Sequence, residues 1–166
     1  MRCTLFHSLT ETDPAAKFAR KSPLTPDSIN HFFLETGHMM EYYELGPESK
    51  RVVALFWEAG ELVIPSHVQS KFLGLDELRP GGVIPYGSMI RALRSDPDFR
   101  VNYRDARFDY QKKVYARLRS LTRMDAKERW RHLKIEQPWV FDLVAEEDIT
   151  NYLRLDVGVL RRLRGV

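Results

Sequence analysis

Three arginines near the end of the sequence, Arg161, Arg162 and Arg164, are the residues whose type and spacing most plainly suggest chemistry. A guanidinium carries five donors in a planar fork, which can bridge phosphate oxygens or pair with guanine O6 and N7. On a helix, positions 161 and 164 share a face and 162 lies about 100° further round, while Leu160 and Leu163 form an apolar side that would hold the helix down. The arginines would then point outward as a cluster, as contact with a polyanion requires, and Arg154 in the turn before them adds a fourth cation. The charge balance agrees. Within an overall formal charge of +3, residues 1–99 carry net −3 and residues 100–166 carry net +6, so the excess positive charge belongs to the C-terminal part.

Other candidate chemistry dissolves on inspection of spacing. The histidines His7, His31, His38, His67 and His132 form no pair at ligand spacing on a helical face, and in a strand His38 and Glu41 would point to opposite faces. There is no nucleophile elbow, phosphate-binding glycine loop or dinucleotide fingerprint. The sequence therefore names no catalytic residue, no metal ligand and no cofactor. Cys3 is the only cysteine, which excludes an intrachain disulfide. No apolar run approaches the roughly 18 residues of a membrane span, and the first residues lack the basic-then-apolar order of a secretory signal, which makes the cytoplasm the expected location.

The elements that must position these residues change character along the chain. Residues 1–16 read as a loose lead-in. From there to Ile90 short apolar runs alternate with turn residues: Ile29 to Leu34, Met39 to Leu45, Arg51 to Trp57, Glu61 to Ile64, Phe72 to Leu75 and Val83 to Ile84. Gly37, Gly46-Pro47, Gly60, Pro65, Gly74 and Pro80-Gly81-Gly82 punctuate them, Pro80-Gly81-Gly82 as a hairpin, and the regular spacing predicts an antiparallel β-roll or barrel. After Ser95-Asp96-Pro97 the period becomes helical. Phe99, Tyr103, Ala106, Tyr110, Val114, Leu118 and Leu121 recur at steps of three or four on a helix of about 25 residues, roughly 37 Å long. One small roll cannot cover that length, so Phe99, Tyr103, Ala106, Tyr110 and Val114 are expected to meet their own copies in a dimer. Asp125 followed by Glu128 predicts a capped helix over 126–135, and two further helices, Glu146 to Leu153 and Asp156 onward, flank a turn at Arg154.

This order of parts resembles the Crp/Fnr regulators, especially their shorter, Bacteroidetes-like branch. The resemblance is carried by Phe32-Phe33-Leu34-Glu35-Thr36-Gly37-His38-Met39, by Phe56-Trp57-Glu58-Ala59-Gly60-Glu61-Leu62, by Ser95-Asp96-Pro97-Asp98-Phe99, by Met124-Asp125-Ala126-Lys127-Glu128-Arg129-Trp130, and by Asp148-Ile149-Thr150-Asn151-Tyr152-Leu153 with Leu160-Arg161-Arg162-Leu163-Arg164. It implies an α+β fold: a β-roll sensor like the jelly roll of cyclic-nucleotide-binding domains over residues 1–95, a connecting and dimerisation helix over 96–123, and a small helix-turn-helix unit over 124–166. It further implies a non-enzymatic, homodimeric transcription regulator that binds double-stranded DNA through Arg154, Arg161, Arg162 and Arg164.

Two departures qualify that implication. Relatives that bind cyclic nucleotides place an arginine on the phosphate, whereas the corresponding segment here, Ile64 to Lys71, lies in a stretch with no arginine between Arg51 and Arg79. What remains for an unknown small-molecule effector is Ser66, Ser70, Lys71 and Glu61, and Lys71 lacks the planar fork. The family also favours glycine where this chain has Arg154, a left-handed position that costs a side chain about 1 kcal/mol or more. The sequence stops at Val166, so the last helix is expected to be about ten residues long with no β wing. These departures leave open an alternative, a ligand-sensing or protein-interaction module of the same fold that no longer binds DNA.

Overall fold

A computed structural model describes residues 31–45, 50–67, 69–76, 79–84 and 86–165. The expected lead-in, Cys3, His7, the start of the first apolar run at Ile29 and the Gly46-Pro47 turn lie outside the described residues. Among the described residues six strands come first: β1 His31–Thr36, β2 His38–Leu45, β3 Lys50–Glu58, β4 Leu62–Val63, β5 Lys71–Gly74 and β6 Arg79–Ile84. They form two antiparallel three-stranded sheets, ordered β4-β1-β6 and β3-β2-β5. Gly37, at φ 85°, turns the chain from β1 in one sheet to β2 in the other, a backbone state that glycine adopts without steric cost. The Pro80-Gly81-Gly82 segment, expected as a hairpin turn, instead lies inside β6. It is tolerated there because β6 is an edge strand among the described residues, with shifted register against β1.

Helices follow without interruption: α1 Tyr86–Ser95, α2 Pro97–Arg123, α3 Ala126–Glu136, α4 Val140–Leu143, α5 Glu146–Leu153 and α6 Val157–Arg164. The sequence signals act as expected at two starts. Asp96 caps α2 by accepting from the Asp98 and Phe99 amides at 2.9 and 3.0 Å, and Asp125 with Glu128 forms a reciprocal capping box on α3. Arg154 stands between α5 and α6 at φ 53°, ψ 53°, the left-handed conformation that the missing glycine would have taken.

Two cores hold α2 to the sheets. Phe99 is buried with Phe33, Leu62, Met89 and Ala92, with Tyr103 and Ala106 packed alongside. Tyr110 and Val114 pack on Leu34, Met39, Leu55, Trp57, Val63 and Phe72, and Tyr110 stacks nearly parallel to Trp57 at 6.1 Å. The stripe expected between two subunits is therefore spent on the chain's own sheets, because the helix lies lengthwise across them. The exposed apolar residues of α2 are Val101, Phe108 and Tyr115, together with Leu118 and Leu121, the last two residues of the sequence's helical repeat.

A third core joins the C-terminal helices to the second sheet. Met40, Tyr42, Val53 and Phe56 are buried together with Leu133, Val140, Val144, Ile149, Leu153 and Leu160. Phe56 is its hinge pin, 4.6 Å from the Tyr152 ring and 5.9 Å from Trp139. The outer edge of β3, which pairs with no further strand among the described residues, is met by the helices. Asn151 accepts from the Val53 amide and donates to the Arg51 carbonyl, both at 2.8 Å, and the Phe56 carbonyl accepts from Lys113 Nζ at 2.9 Å and from Gln137 Nε2 at 3.4 Å. A side-chain amide thus imitates a strand neighbour. Asn151→Ala removes both bonds and strands a backbone donor and acceptor, so it should lower stability by about 1–3 kcal/mol. Denaturant unfolding checks the size, and faster hydrogen exchange at the Val53 amide checks the place.

Candidate functional site: an outward arginine helix and an anion cradle filled from within

The C-terminal arginines sit on α6, which is anchored by fully buried Leu160. Arg161, Arg162 and Arg164 are exposed, as is Arg154 in the preceding turn. Their charge is partly engaged at home. Arg161 donates to Glu146 at 3.1 Å, a bond that raises its pKa. Arg164 approaches the same carboxylate at 4.0 Å and lies over the Phe141 ring. Arg162 donates to the Gly158 carbonyl one turn back. One glutamate thus faces two of the three guanidiniums.

The first of the two helices, α5, is fixed against β3. Beyond the Asn151 bonds, Arg51 pairs with Asp148 at 3.2 Å and lies over the Tyr42 ring. Burial raises the Asp148 pKa, and the adjacent guanidinium opposes that rise. Arg129 on α3 secures the turn itself, donating to the carbonyls of Leu153 at 2.8 Å, Met124 at 2.7 Å and Arg154 at 3.5 Å.

The four residues expected to serve an effector each have partners of their own. Ser66 gives both its amide, at 2.5 Å, and its hydroxyl, at 2.7 Å, to the carboxylate of Glu41, and Ser70 gives its hydroxyl at 2.6 Å. Trp57 Nε1 adds a fourth bond at 3.1 Å. Glu41 is fully buried, and every one of these partners is a donor, which suits a group that only accepts. Lys71 pairs with Glu44 at 2.7 Å. Glu61 accepts from the Glu58 amide and from Lys113 Nζ, whose 4.6 Å approach to the Trp57 ring ties α2 to the sheet. The segment that the resemblance assigns to a ligand phosphate therefore does build an anion cradle, and a carboxylate of the chain occupies it.

Reading the sequence missed Glu41, because Met40-Glu41-Tyr42 looks like an alternating strand with its acid in solvent. A bulge between Glu41 and Tyr42 in the β2–β3 register accompanies its inward turn. Asn151 and Arg129 stand in motifs that carry the resemblance, but nothing in those motifs names the backbone groups they bond. His38, set aside as a metal ligand, bonds to Asp76 at 2.6 Å and lies against Trp139.

The fold built from these parts is that of the Crp/Fnr-type transcription regulators. Among solved structures the chain is similar to a CooA variant from Carboxydothermus hydrogenoformans, with TM-score 0.66 and 16% identity, covering 89% of this chain and 72% of that one. A CRP-family transcriptional regulator from Thermus thermophilus gives 0.64 and 16%, covering 89% and 81%. A cyclic nucleotide-binding domain containing protein from Listeria monocytogenes gives 0.63 and 14%, covering 88% and 77%. No family model and no curated protein sequence matches the chain.

A phosphate brought into the cradle would meet the Glu41 carboxylate instead of an arginine. Cyclic AMP and cyclic GMP should accordingly give no heat in titration calorimetry at micromolar to submillimolar concentration; saturable binding of either would contradict this reading.

Proposed function

We propose that this chain is a non-enzymatic transcription regulator that binds duplex DNA through a helix-turn-helix made of α5 and α6, with α6 as the recognition helix. The observation that carries the proposal is the exposed cluster Arg161, Arg162 and Arg164 on a short helix held down by Leu160, with Arg154 beside it, in a chain of Crp-type fold. In this reading the joints at Asp96 and Met124 divide a sensor-like part, residues 1–95, from the long helix, 96–123, and a DNA-binding part, 124–166.

The regulator would act as a homodimer, since two copies match a two-fold operator. The face of α2 suited to this is the exposed one. Val101, Phe108 and Tyr115 recur at seven-residue intervals, with Leu118 on the same side, the spacing of a coiled-coil seam. It lies roughly opposite the stripe that packs on the sheets.

One observation favours a second reading, a protein-interaction module of the same fold. The α5 helix is bound to β3 by a shared core, by Asn151 and by the Arg51–Asp148 pair, and Glu146 competes for Arg161 and Arg164. DNA titrations separate the two readings.

Fluorescence anisotropy against pooled genomic duplex fragments at two salt concentrations should show binding that weakens with salt. Replacing Arg161 and Arg164 by alanine should weaken it for every sequence and lower the salt slope by about one unit for each phosphate that is no longer neutralised. Loss of specificity at a single base position, worth roughly 1–3 kcal/mol, would instead mark a base-reading arginine. Glu146→Gln should tighten binding by releasing two cations. Absence of binding at low salt would refute the regulator reading and leave the interaction module.

For the dimer, sedimentation of the unmodified protein at tens of micromolar should give two copies. Phe108→Glu, which buries two like charges at the seam, should give a folded monomer, whereas Tyr110→Glu should unfold the protein. A monomeric parent, or a Phe108→Glu variant that stays dimeric, would reject this interface.

A further inference from the structure

A cleft of about 270 Å³ opens where the second half of α2 meets α3, close to the lower end of the roughly 300–1,000 Å³ usual for small-molecule sites. Its walls bring together Lys113, Arg117 and Ser120 of α2, Arg129 and His132 of α3, and Tyr152 of α5. Arg117 lies over the Tyr152 ring with its guanidinium carbon 3.6 Å from the ring centre. Its Nη1 is buried and has no hydrogen-bond partner among the described residues.

The charge around Arg117 is uncompensated. Burial holds its pKa below the usual arginine range, Tyr152 and Tyr43 oppose that, and Arg154 and Arg129 add to it; among the described residues no carboxylate pairs with it. Arg129 gives one bond from each of its three nitrogens to backbone carbonyls, which are neutral acceptors and leave its charge unneutralised. Lys113 is already paired with Glu61. The two acids on the cleft wall, Glu58 and Glu136, are exposed. A desolvated guanidinium with a free donor and two cationic neighbours is costly to hold, and an anion is the group that would offset it.

We propose that this cleft binds a small molecule through an oxyanion, phosphate or carboxylate, which accepts from the free Arg117 donor and from the hydroxyl of Ser120 one turn further along the same helix. The site is distinct from the cradle around Glu41. It also has a built-in connection: Arg129, in its wall, is the residue that holds the Leu153 and Arg154 carbonyls of the α5–α6 turn. An anion seated there would brace α2 against that turn. Only this last consequence, a change in DNA affinity on binding, rests on the function proposed above.

The test is titration calorimetry of the full chain with inorganic phosphate, pyrophosphate and citrate at constant ionic strength, in the absence of DNA. Saturable binding of at least one of them is expected. Arg117→Met should weaken it by about tenfold or more, the worth of one charge-assisted hydrogen bond, while Arg94→Ala at the exposed end of α1 should leave it unchanged. If Arg117→Met does not fold, Ser120→Ala, which removes one hydroxyl, must weaken binding in its place. Absence of saturable binding by all three anions, or equal binding by Arg117→Met or by a folded Ser120→Ala, would overturn the proposal. A protein that binds anions and ignores DNA would refute the regulator reading alone.

Discussion

The packing of the C-terminal helices on the β3-β2-β5 sheet is the constraint from which most of the molecule's other features follow. Phe56, Val53, Met40 and Tyr42 are large apolar groups on a sheet with three described strands. Such a sheet cannot remain bare, since each side chain of this kind is worth about 1.5–3 kcal/mol when buried. Leu133, Val140, Val144, Ile149, Leu153 and Leu160 bury them. Once the helices are in place, the polar groups around that contact are obliged to pair: Asn151 on the β3 edge, Asp148 on Arg51, Gln137 and Lys113 on the Phe56 carbonyl. The outward direction of α6 is a further result, because Leu160 belongs to the same core and turns the arginines away from it.

Two charged groups show how the same low-dielectric surroundings lead to opposite outcomes. Glu41 is surrounded by four donors supplied by the chain and forms a closed network. Arg117 is surrounded by an aromatic face and other cations, and retains an unmet donor. The first arrangement makes a loop suited to anions self-sufficient. The second concentrates positive potential at the joint between the long helix and the C-terminal unit.

Much of the architecture was legible in residue order because its signals are local. The apolar runs fall in β1 through β6, Asp96-Pro97 and Asp125 with Glu128 began helices, and Arg154 took the left-handed turn. Periodicity in α2 gave the right stripe and the wrong neighbour, because a helical period fixes which residues share a face and is silent on what that face meets. The helix carries apolar residues in two phases, and the phase buried on the sheets was the one assigned to a partner. Glu41, Asn151, Arg117 and Arg129 escaped notice for a related reason. Their roles depend on groups that lie far away in sequence, as the 100 residues between Arg51 and Asn151 show.

The left-handed arginine at position 154 has a bearing on the denatured chain. Glycine there would relieve backbone strain of about 1 kcal/mol or more, but it would also enlarge the set of conformations available before folding, an entropic loss of roughly 0.4–1 kcal/mol. The two changes oppose each other and are similar in size. What glycine would remove without compensation is a cation beside Arg117 and Arg129. Position 154 therefore separates two properties that are usually coupled in a turn: its backbone shape is nearly indifferent to the choice of residue, and its electrostatic field is not.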